Sequence, residues 1–420
     1  MSEHESNIIV IGGGISGLTT ATEAAEAGYT VTILEREPFL GGRVSRMNKY
    51  FPKLCPPTCG LEINYRRVKL NDRISVYTMS EVEKISGQAG SYEVDVKLKP
   101  RYINDKCTGC NACTEACPVE IPNDFNAGLD KKKAAFIPTS QAFPYQYVID
   151  KSACKSDCGA KCKEACKYDA VDLEMQPETL KLKAASIVLA TGWKPYDAKK
   201  IDNLGFGTSP SIITNAMMER IASGNGPTGG KITRPGDGKE AKKVAFVQCA
   251  GSRDENHLAY CSAVCCMASL KQITYVTDQY PDAEVYMFYI DIRTPGTSYE
   301  KFYNTIKDNE NVKLIKGKVA SVTAESNGDV TVEAEDILAG EKIKVTVDMV
   351  VLATGMQPEV ADLKLPSDIK INENGFAVIG KDQKGIYAVG CAKDPMDVAK
   401  SVQGATGAAL KAIQTVGRLS

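Results

Sequence analysis

The sequence predicts an α/β protein interrupted by a cysteine-rich insertion. Three observations carry that prediction. Residues 7–34 run strand, glycine turn, helix, strand. Two apolar strands end in the same step, ATGWKP at 190–195 and ATGMQP at 353–358. Between residues 101 and 170 the alternation stops and eight cysteines appear.

Taken in order, NIIVI at 7–11 is a short apolar run that meets GGGISG at once. LTTATEAAEAG then has helical spacing and stops at Gly28, and YTVTILE reads as the next strand. Residues 74–98 read as short strands broken by Gly87 and Gly90. The apolar strand ASIVLATG follows the insertion at 185–192, and a Gly/Pro loop at 224–240 precedes the strand KVAFVQ. The strand-like runs ITYVT and EVYMFYI, a helix near 298–308, VKLIKGKVASVTAE, DVTVEAED, the strand DMVVLATG, GIYAVG and a helix over 398–416 complete the chain.

Composition narrows the chemistry. The 420 residues hold 51 Lys+Arg against 52 Asp+Glu, a net charge of −1, so nucleic-acid binding through phosphate neutralisation is not expected. No apolar run approaches the ~20 residues needed to span a bilayer, and MSEHESNIIVIGGG has neither a basic n-region nor an apolar h-region. A cytoplasmic location is expected, with membrane contact only through a partner. His4 and His257 are the only histidines, which excludes histidine-rich metal sites. Of the 15 cysteines, 14 lie between Cys55 and Cys266. An odd number, tightly clustered, is a poor disulfide framework and points to metal or redox chemistry.

Gly12, Gly14 and Gly17 form G-x-G-x-x-G between a strand and a helix. The first glycine permits the turn, the second lets backbone approach a pyrophosphate, and the third lets helix and strand pack closely. Glu35 ends the second strand, where a carboxylate can accept a hydrogen bond from a ribose hydroxyl.

Cys107, Cys110, Cys113 and Cys117, followed by Pro118, form C-x-x-C-x-x-C-x-x-x-C-P, the run that binds [4Fe–4S] clusters in bacterial ferredoxins. Zinc is the alternative, although zinc sites usually use two separated pairs. Cys154, Cys158, Cys162 and Cys166 are spaced by three residues each, so either they ligate a second cluster or they are helical thiols that bind nothing. Cys249, Cys261, Cys265 and Cys266 fit no standard motif. On residues alone they are either ligands or buried structural thiols.

GGR at 41–43, the paired ATG strands and GIYAVG resemble the flavoproteins with two dinucleotide-binding domains, the glutathione-reductase class. The resemblance implies FAD on the N-terminal fingerprint. It places cofactor contacts on Gly12, Gly14, Ser16, Gly17, Glu35, Arg36, Gly42, Arg43, Thr191, Gly192, Gly390 and Cys391, with Val82 near the adenine. The chain departs from that class in three ways. KVAFVQ runs into CAGSRDENHLAYCSAVCC instead of a second glycine-rich turn, so nicotinamide nucleotide is not expected there. The active-site C-x-x-x-x-C near Gly42 is missing. Cys391 stands where the class has Asp.

CAGSRDENHLAYCSAVCCMASLKQ, YMFYIDIRTPGTSYEKFY and FPKLCPPTCGLE resemble the flavin subunit of heterodisulfide reductase, the HdrA family. That resemblance implies an inserted two-cluster ferredoxin module. Cys107, Cys110, Cys113 and Cys166 would hold one [4Fe–4S] cluster, and Cys154, Cys158, Cys162 and Cys117 the other. A third would sit on Cys249, Cys261, Cys265 and Cys266. Arg253 and Arg293 would lie in the flavin or cluster shell, or form surface salt bridges. Cys55 and Cys59 are either ligands of a cluster shared with a partner or free thiols near the flavin.

The implied domains are 1–100, 177–204 and 346–420 for FAD, 101–176 for the ferredoxin-like insert, and 205–345 for a degenerate second dinucleotide-binding-type domain. The length resembles the A-subunit family of the quinone-interacting membrane-bound oxidoreductase complex (Qmo) of sulfate reducers. That resemblance implies electron transfer between a quinone pool and adenylylsulfate reductase. The partners would be an HdrA- or QmoB-like flavoprotein and a membrane haem subunit. The alternatives are a subunit of a heterodisulfide reductase or flavin-based bifurcating complex, an NAD(P)H-dependent flavin reductase, and a zinc-binding scaffold.

Overall fold

The computed structural model describes residues 3–154, 158, 160–365, 369–380 and 385–419. They form two compact units, 1–45 with 58–193 and 358–420, and 46–57 with 194–357.

The first unit is built on β1 (Glu3–Ile11), α1 (Ile15–Glu26) and β2 (Val31–Leu34). β1 lies parallel to β2 on one side and to the strand Glu178–Leu189 on the other. Ile8, Ile9 and Val10 are fully buried, as expected of a strand covered on both faces. Strand Glu178–Leu189 changes partners along its length. Its first half pairs antiparallel with Ser91–Leu98, and residues 187–189 pair parallel with Ile386–Ala388. The burial pattern changes at the same point, from alternating to continuous. One strand thus joins an antiparallel layer to the parallel core. The long helix Val398–Leu419 packs on α1, with Thr20 Oγ1 donating to the Ala405 carbonyl at 3.4 Å.

The insertion has a small core of its own, in which Ile103, Val119, Tyr147 and Ile149 pack with Cys113 and Cys162. Two short antiparallel pairs frame it, Glu120–Pro122 with Lys131–Lys133 and Ala135–Phe136 with Val148–Ile149.

The second unit is a five-stranded parallel sheet in the order Ile212–Thr214, Met349–Thr354, Lys243–Ala250, Glu284–Tyr289, Val312–Lys316. A three-stranded antiparallel sheet spans 319–347. The run ITYVT is not a strand. It belongs to the helix Cys265–Gln279, where Ile273 and Val276 are wholly buried. Its β-branched residues favour a strand locally, but an apolar face at helical spacing against the sheet overrides that propensity. No helix among the described residues is long and apolar enough to cross a membrane.

Candidate functional site

The fingerprint turn in the first unit is built on close backbone approach. A Cβ on Gly17 would lie 1.8 Å from the Gly12 carbonyl oxygen, and one on Gly12 would lie 2.3 Å from that of Ala190. Gly14 is the N-cap of α1, and a Cβ there would meet only the Gly42 Cα, at 3.8 Å. The Gly41 amide donates to the Gly13 carbonyl at 2.8 Å, which draws the GGR turn onto the fingerprint. Ser16 is buried, and a Cβ on Gly390 would lie 2.3 Å from its Oγ, so the late segment reaches the same helix N-terminus. The Thr191 hydroxyl, next to Gly192, is buried without a hydrogen-bond partner. An open helix N-terminus, a clear face at Gly14 and an orphaned hydroxyl fit a dinucleotide pyrophosphate.

Glu35 is buried, and its carboxylate accepts amides from Gly13 at 2.7 Å and Glu37 at 2.8 Å. Desolvation nevertheless pushes its pKa from 4.5 up to about 7. A carboxyl with a raised folded-state pKa contributes stability that is complete below its unfolded value and is lost as pH rises through the folded one. FAD-free protein is therefore expected to lose thermal stability between pH 4.5 and about 7, and Glu35→Gln to flatten that slope in melting curves taken across the range. Arg36 pairs with Glu359 at 2.5 Å, and Arg43 Nε donates to the Trp193 carbonyl at 3.1 Å. Val82 sits beside an irregularity in the pairing of Ser80–Gln88 with Ser91–Leu98. Cys391 is buried, with its thiol 3.6 Å from the Met396 carbonyl and its pKa pushed up to about 11 by burial.

In the insertion, a cavity of about 300 Å³, counting its opening to solvent, is lined by Cys107, Cys110, Cys113 and Cys166, with Tyr147 and Tyr168 on its wall. Three of these cysteines come from the first run and one from the end of the second. Asn111, in the left-handed region at φ 70°, starts the short helix Ala112–Ala116 that carries Cys113. Desolvation raises the Cys166 pKa, but the amides of Ala170, Tyr168 and Val171 outweigh it and the net shift is downward. The Ala170 amide is 3.3 Å from its sulfur.

The other four cysteines also converge. Burial raises the Cys154 thiol, with Cys158, Cys162 and Cys117 close enough to add to it. Burial likewise raises Cys162, with Cys117 the next contributor. These residues do not share one helix. Cys154 ends a 3-10 turn and Cys162 lies in Lys161–Glu164.

In the second unit, helix Cys265–Gln279 begins at the first of the adjacent cysteines, so Cys261 lies in the loop before it and not on a shared helical face. Cys249 is the penultimate residue of the central strand, inside the irregularity between Val247 and Ala250, at φ 57°, and Arg253 and Ala263 are also left-handed, at 57° and 62°. Backbone strain of this kind gathers at functional sites. Desolvation raises Cys249 to about 11 and raises Cys265 and Cys266 as well; Cys266 and Cys261 add to the rise at Cys249, Cys266, Cys249 and Cys261 to that at Cys265, and Cys261 to that at Cys266. The Ala263 amide reaches the Cys261 sulfur at 3.4 Å, and Arg253 pairs with Asp291 at 2.8 Å while facing Cys249. The crevice at the ends of parallel strands is where such a sheet binds its ligand. Here thiols fill it. Buried thiols held near one another resist ionisation until cationic iron compensates them, so the donor set fits a cluster.

Among the described residues, no three His, Cys, Asp or Glu side chains are drawn together tightly enough for a single ion. The ligands of a four-iron cluster surround a larger body. Cys55 and Cys59 are exposed and belong to different units. Sequence reasoning missed the cavity tyrosines and Arg101, a buried guanidinium beside the first run, because neither carries a motif.

A family model for FAD dependent oxidoreductases matches residues 7–97, and one for the 4Fe-4S binding domain matches residues 100–123. The chain is 36% identical over 97% of its length to the A subunit of the H(2):CoB-CoM heterodisulfide,ferredoxin reductase of Methanothermobacter thermautotrophicus. It is 38% identical over 99% of its length to the A subunit of the ferredoxin/F(420)H(2)-dependent CoB-CoM heterodisulfide reductase of Methanosarcina acetivorans. It spans 63% and 54% of those two proteins. In fold it is similar to the thioredoxin reductase of T. acidophilum, with a TM-score of 0.55, 15% identity and full coverage of both chains.

Proposed function

Because this chain is a homologue of the heterodisulfide reductase A subunits and carries an FAD dependent oxidoreductase domain and a 4Fe-4S binding domain, we propose that it is an electron-transfer subunit that holds one FAD and three [4Fe–4S] clusters for partner proteins. When bound, the flavin and clusters supply the exchange between two-electron and one-electron steps. The α1 N-terminus and the glycines around it receive the pyrophosphate, and Glu35 accepts a ribose hydroxyl. Cys107, Cys110, Cys113 and Cys166 hold the first cluster, Cys117, Cys154, Cys158 and Cys162 the second, and Cys249, Cys261, Cys265 and Cys266 the third. Arg36, Gly42, Arg43, Val82, Thr191, Gly192, Gly390 and Cys391 complete the flavin environment.

The observation that carries this reading is the cavity lined by three cysteines of the first run and the last of the second. That interleaving is what two clusters in one compact module require. The test is iron and acid-labile sulfide analysis of anaerobically purified full chain. About twelve irons per chain are expected from three cubanes. The Cys265→Ser/Cys266→Ser double variant is expected to lose about four of them and keep its flavin. Fewer than four irons in the unaltered chain sinks the multi-cluster reading, and bleaching of the flavin by NADPH alone sinks the exclusion of nicotinamide.

By resemblance in sequence, we read the partners as those of a quinone-linked complex that exchanges electrons with adenylylsulfate reductase, with membrane contact supplied by a haem subunit. Co-purification tests it. A haem-bearing membrane protein and a second flavoprotein are expected, whereas a hydrogenase or formate dehydrogenase module moves the chain to a heterodisulfide reductase assembly, the class for which its curated relatives are named.

A further inference from the structure

Arg101 is only 7% exposed. Its guanidinium donates to the Pro38 carbonyl at 2.6 Å, Thr78 Oγ1 at 2.7 Å, the Gln146 carbonyl at 3.1 Å and the Tyr147 carbonyl at 3.4 Å. All four acceptors are neutral, and no carboxylate pairs with it among the described residues. A buried charge without a counter-charge is costly, and in folded proteins such a group is paired or changes its ionisation. Desolvation does weigh on Arg101, lowering its pKa to about 10, and among the described residues Cys107 is near enough to oppose it. The same stretch of chain walls the cavity. Ile103 and Tyr147 both line it, alongside Cys107 and Cys166. The Ile149 amide also donates to the Arg101 carbonyl at 3.2 Å, so the backbone on both sides of the guanidinium is fixed.

We propose that Arg101 is the built-in counter-charge of the anionic cluster held by Cys107, Cys110, Cys113 and Cys166, and that it sets that cluster's reduction potential. A cubane with four thiolates carries net negative charge, which grows by one on reduction. A fixed cation beside it, in a medium that screens weakly, favours the reduced form. The four neutral hydrogen bonds hold the guanidinium in place without neutralising it, and one of their acceptors, Tyr147, is itself part of the cavity wall. The inference rests on the assignment of these four cysteines as ligands, and it concerns a residue that sets a potential and touches no substrate.

The test is a mediated redox titration followed by electron paramagnetic resonance, on the full chain with its clusters in place. Arg101→Gln keeps hydrogen-bonding capacity and removes the charge. It is expected to make the cluster about tenfold harder to reduce, a downward shift of about 59 mV for one electron, with the other clusters and the iron content unchanged. Arg101→Lys keeps the charge and is expected to stay close to the unaltered potential. An Arg101→Gln protein with intact clusters and an unchanged potential overturns the proposal. If that variant does not fold, Arg101→Lys decides: a potential that falls by the full tenfold despite the retained charge overturns it, and an unmoved one supports it. A cluster signal that survives Cys107→Ser with full iron content overturns the ligand assignment itself, which separates that failure from the failure of the counter-charge.

Discussion

Gly17→Ala is expected to leave the chain without FAD. The added methyl would sit 1.8 Å from the Gly12 carbonyl oxygen and 3.3 Å from Val10 Cγ1. A backbone oxygen cannot rotate aside, so the turn itself has to move. Overpacking of this kind costs about 1–3 kcal/mol, and more where backbone must shift. The displaced turn is the one that presents the α1 N-terminus, so the loss falls on the cofactor site before it falls on the fold. We expect flavin per protein, read from the ratio of visible flavin absorbance to protein absorbance, to drop at least about tenfold, the equivalent of about 1.4 kcal/mol, with iron content retained. The matched control is Gly407→Ala. Gly407 is exposed on the helix Val398–Leu419 and a Cβ there meets nothing within 4 Å. That change is expected to stabilise the helix by up to about 1 kcal/mol, because alanine replaces glycine in a helix interior. A Gly17→Ala protein that keeps its full complement of FAD would remove the fingerprint from the cofactor site.

What could be read from the sequence was local chemistry. The strand–glycine–helix–strand order of residues 7–34 was legible because each glycine answers a steric demand set within a few residues. The first cysteine run was legible because its spacing is dictated by one tight loop. The relation of Cys166 to the first three cysteines needed the resemblance, since no local rule pairs positions so far apart in the chain. Cys249, Cys261, Cys265 and Cys266 fit no standard motif because their placement depends on where a helix begins. The observed helix starts at Cys265, and the loop before it holds Cys261 independently. ITYVT misled because its composition is strand-like, and only the sheet it covers makes it a helix. Arg101 gave no signal at all. A single arginine after KP reads as surface, and its burial follows from the insertion closing over residues 38 and 78.

The same blindness to distant pairs applies to Glu219 and Lys271, where the second large effect is expected. Lys271 is fully buried and its Nζ lies 2.8 Å from Glu219 Oε1. It also donates to the Lys49 carbonyl at 2.7 Å. Burial lowers the Lys271 pKa, opposed by the Glu219 carboxylate. Glu219 is the hub of this network. Besides Lys271 it accepts from Gln272 Nε2 at 2.6 Å, the Asn48 amide at 2.9 Å and the Tyr275 hydroxyl at 3.2 Å. Removing one member of a buried ion pair costs about 3–5 kcal/mol, because the other is left as an uncompensated charge. The two members are not equivalent here. Lys271→Met leaves a carboxylate that still has three neutral donors. Glu219→Leu leaves an ammonium with one carbonyl and strands three donors as well. We therefore expect both variants to melt earlier, by about 10 °C for a unit of this size, with Glu219→Leu the worse of the two. Helix Cys265–Gln279 carries both Lys271 and two of the proposed cluster ligands, so its loosening is expected to lower iron content at the third set first. Equal and small shifts in the two melting curves would mean that the pair is solvated in solution and does not hold that helix in place.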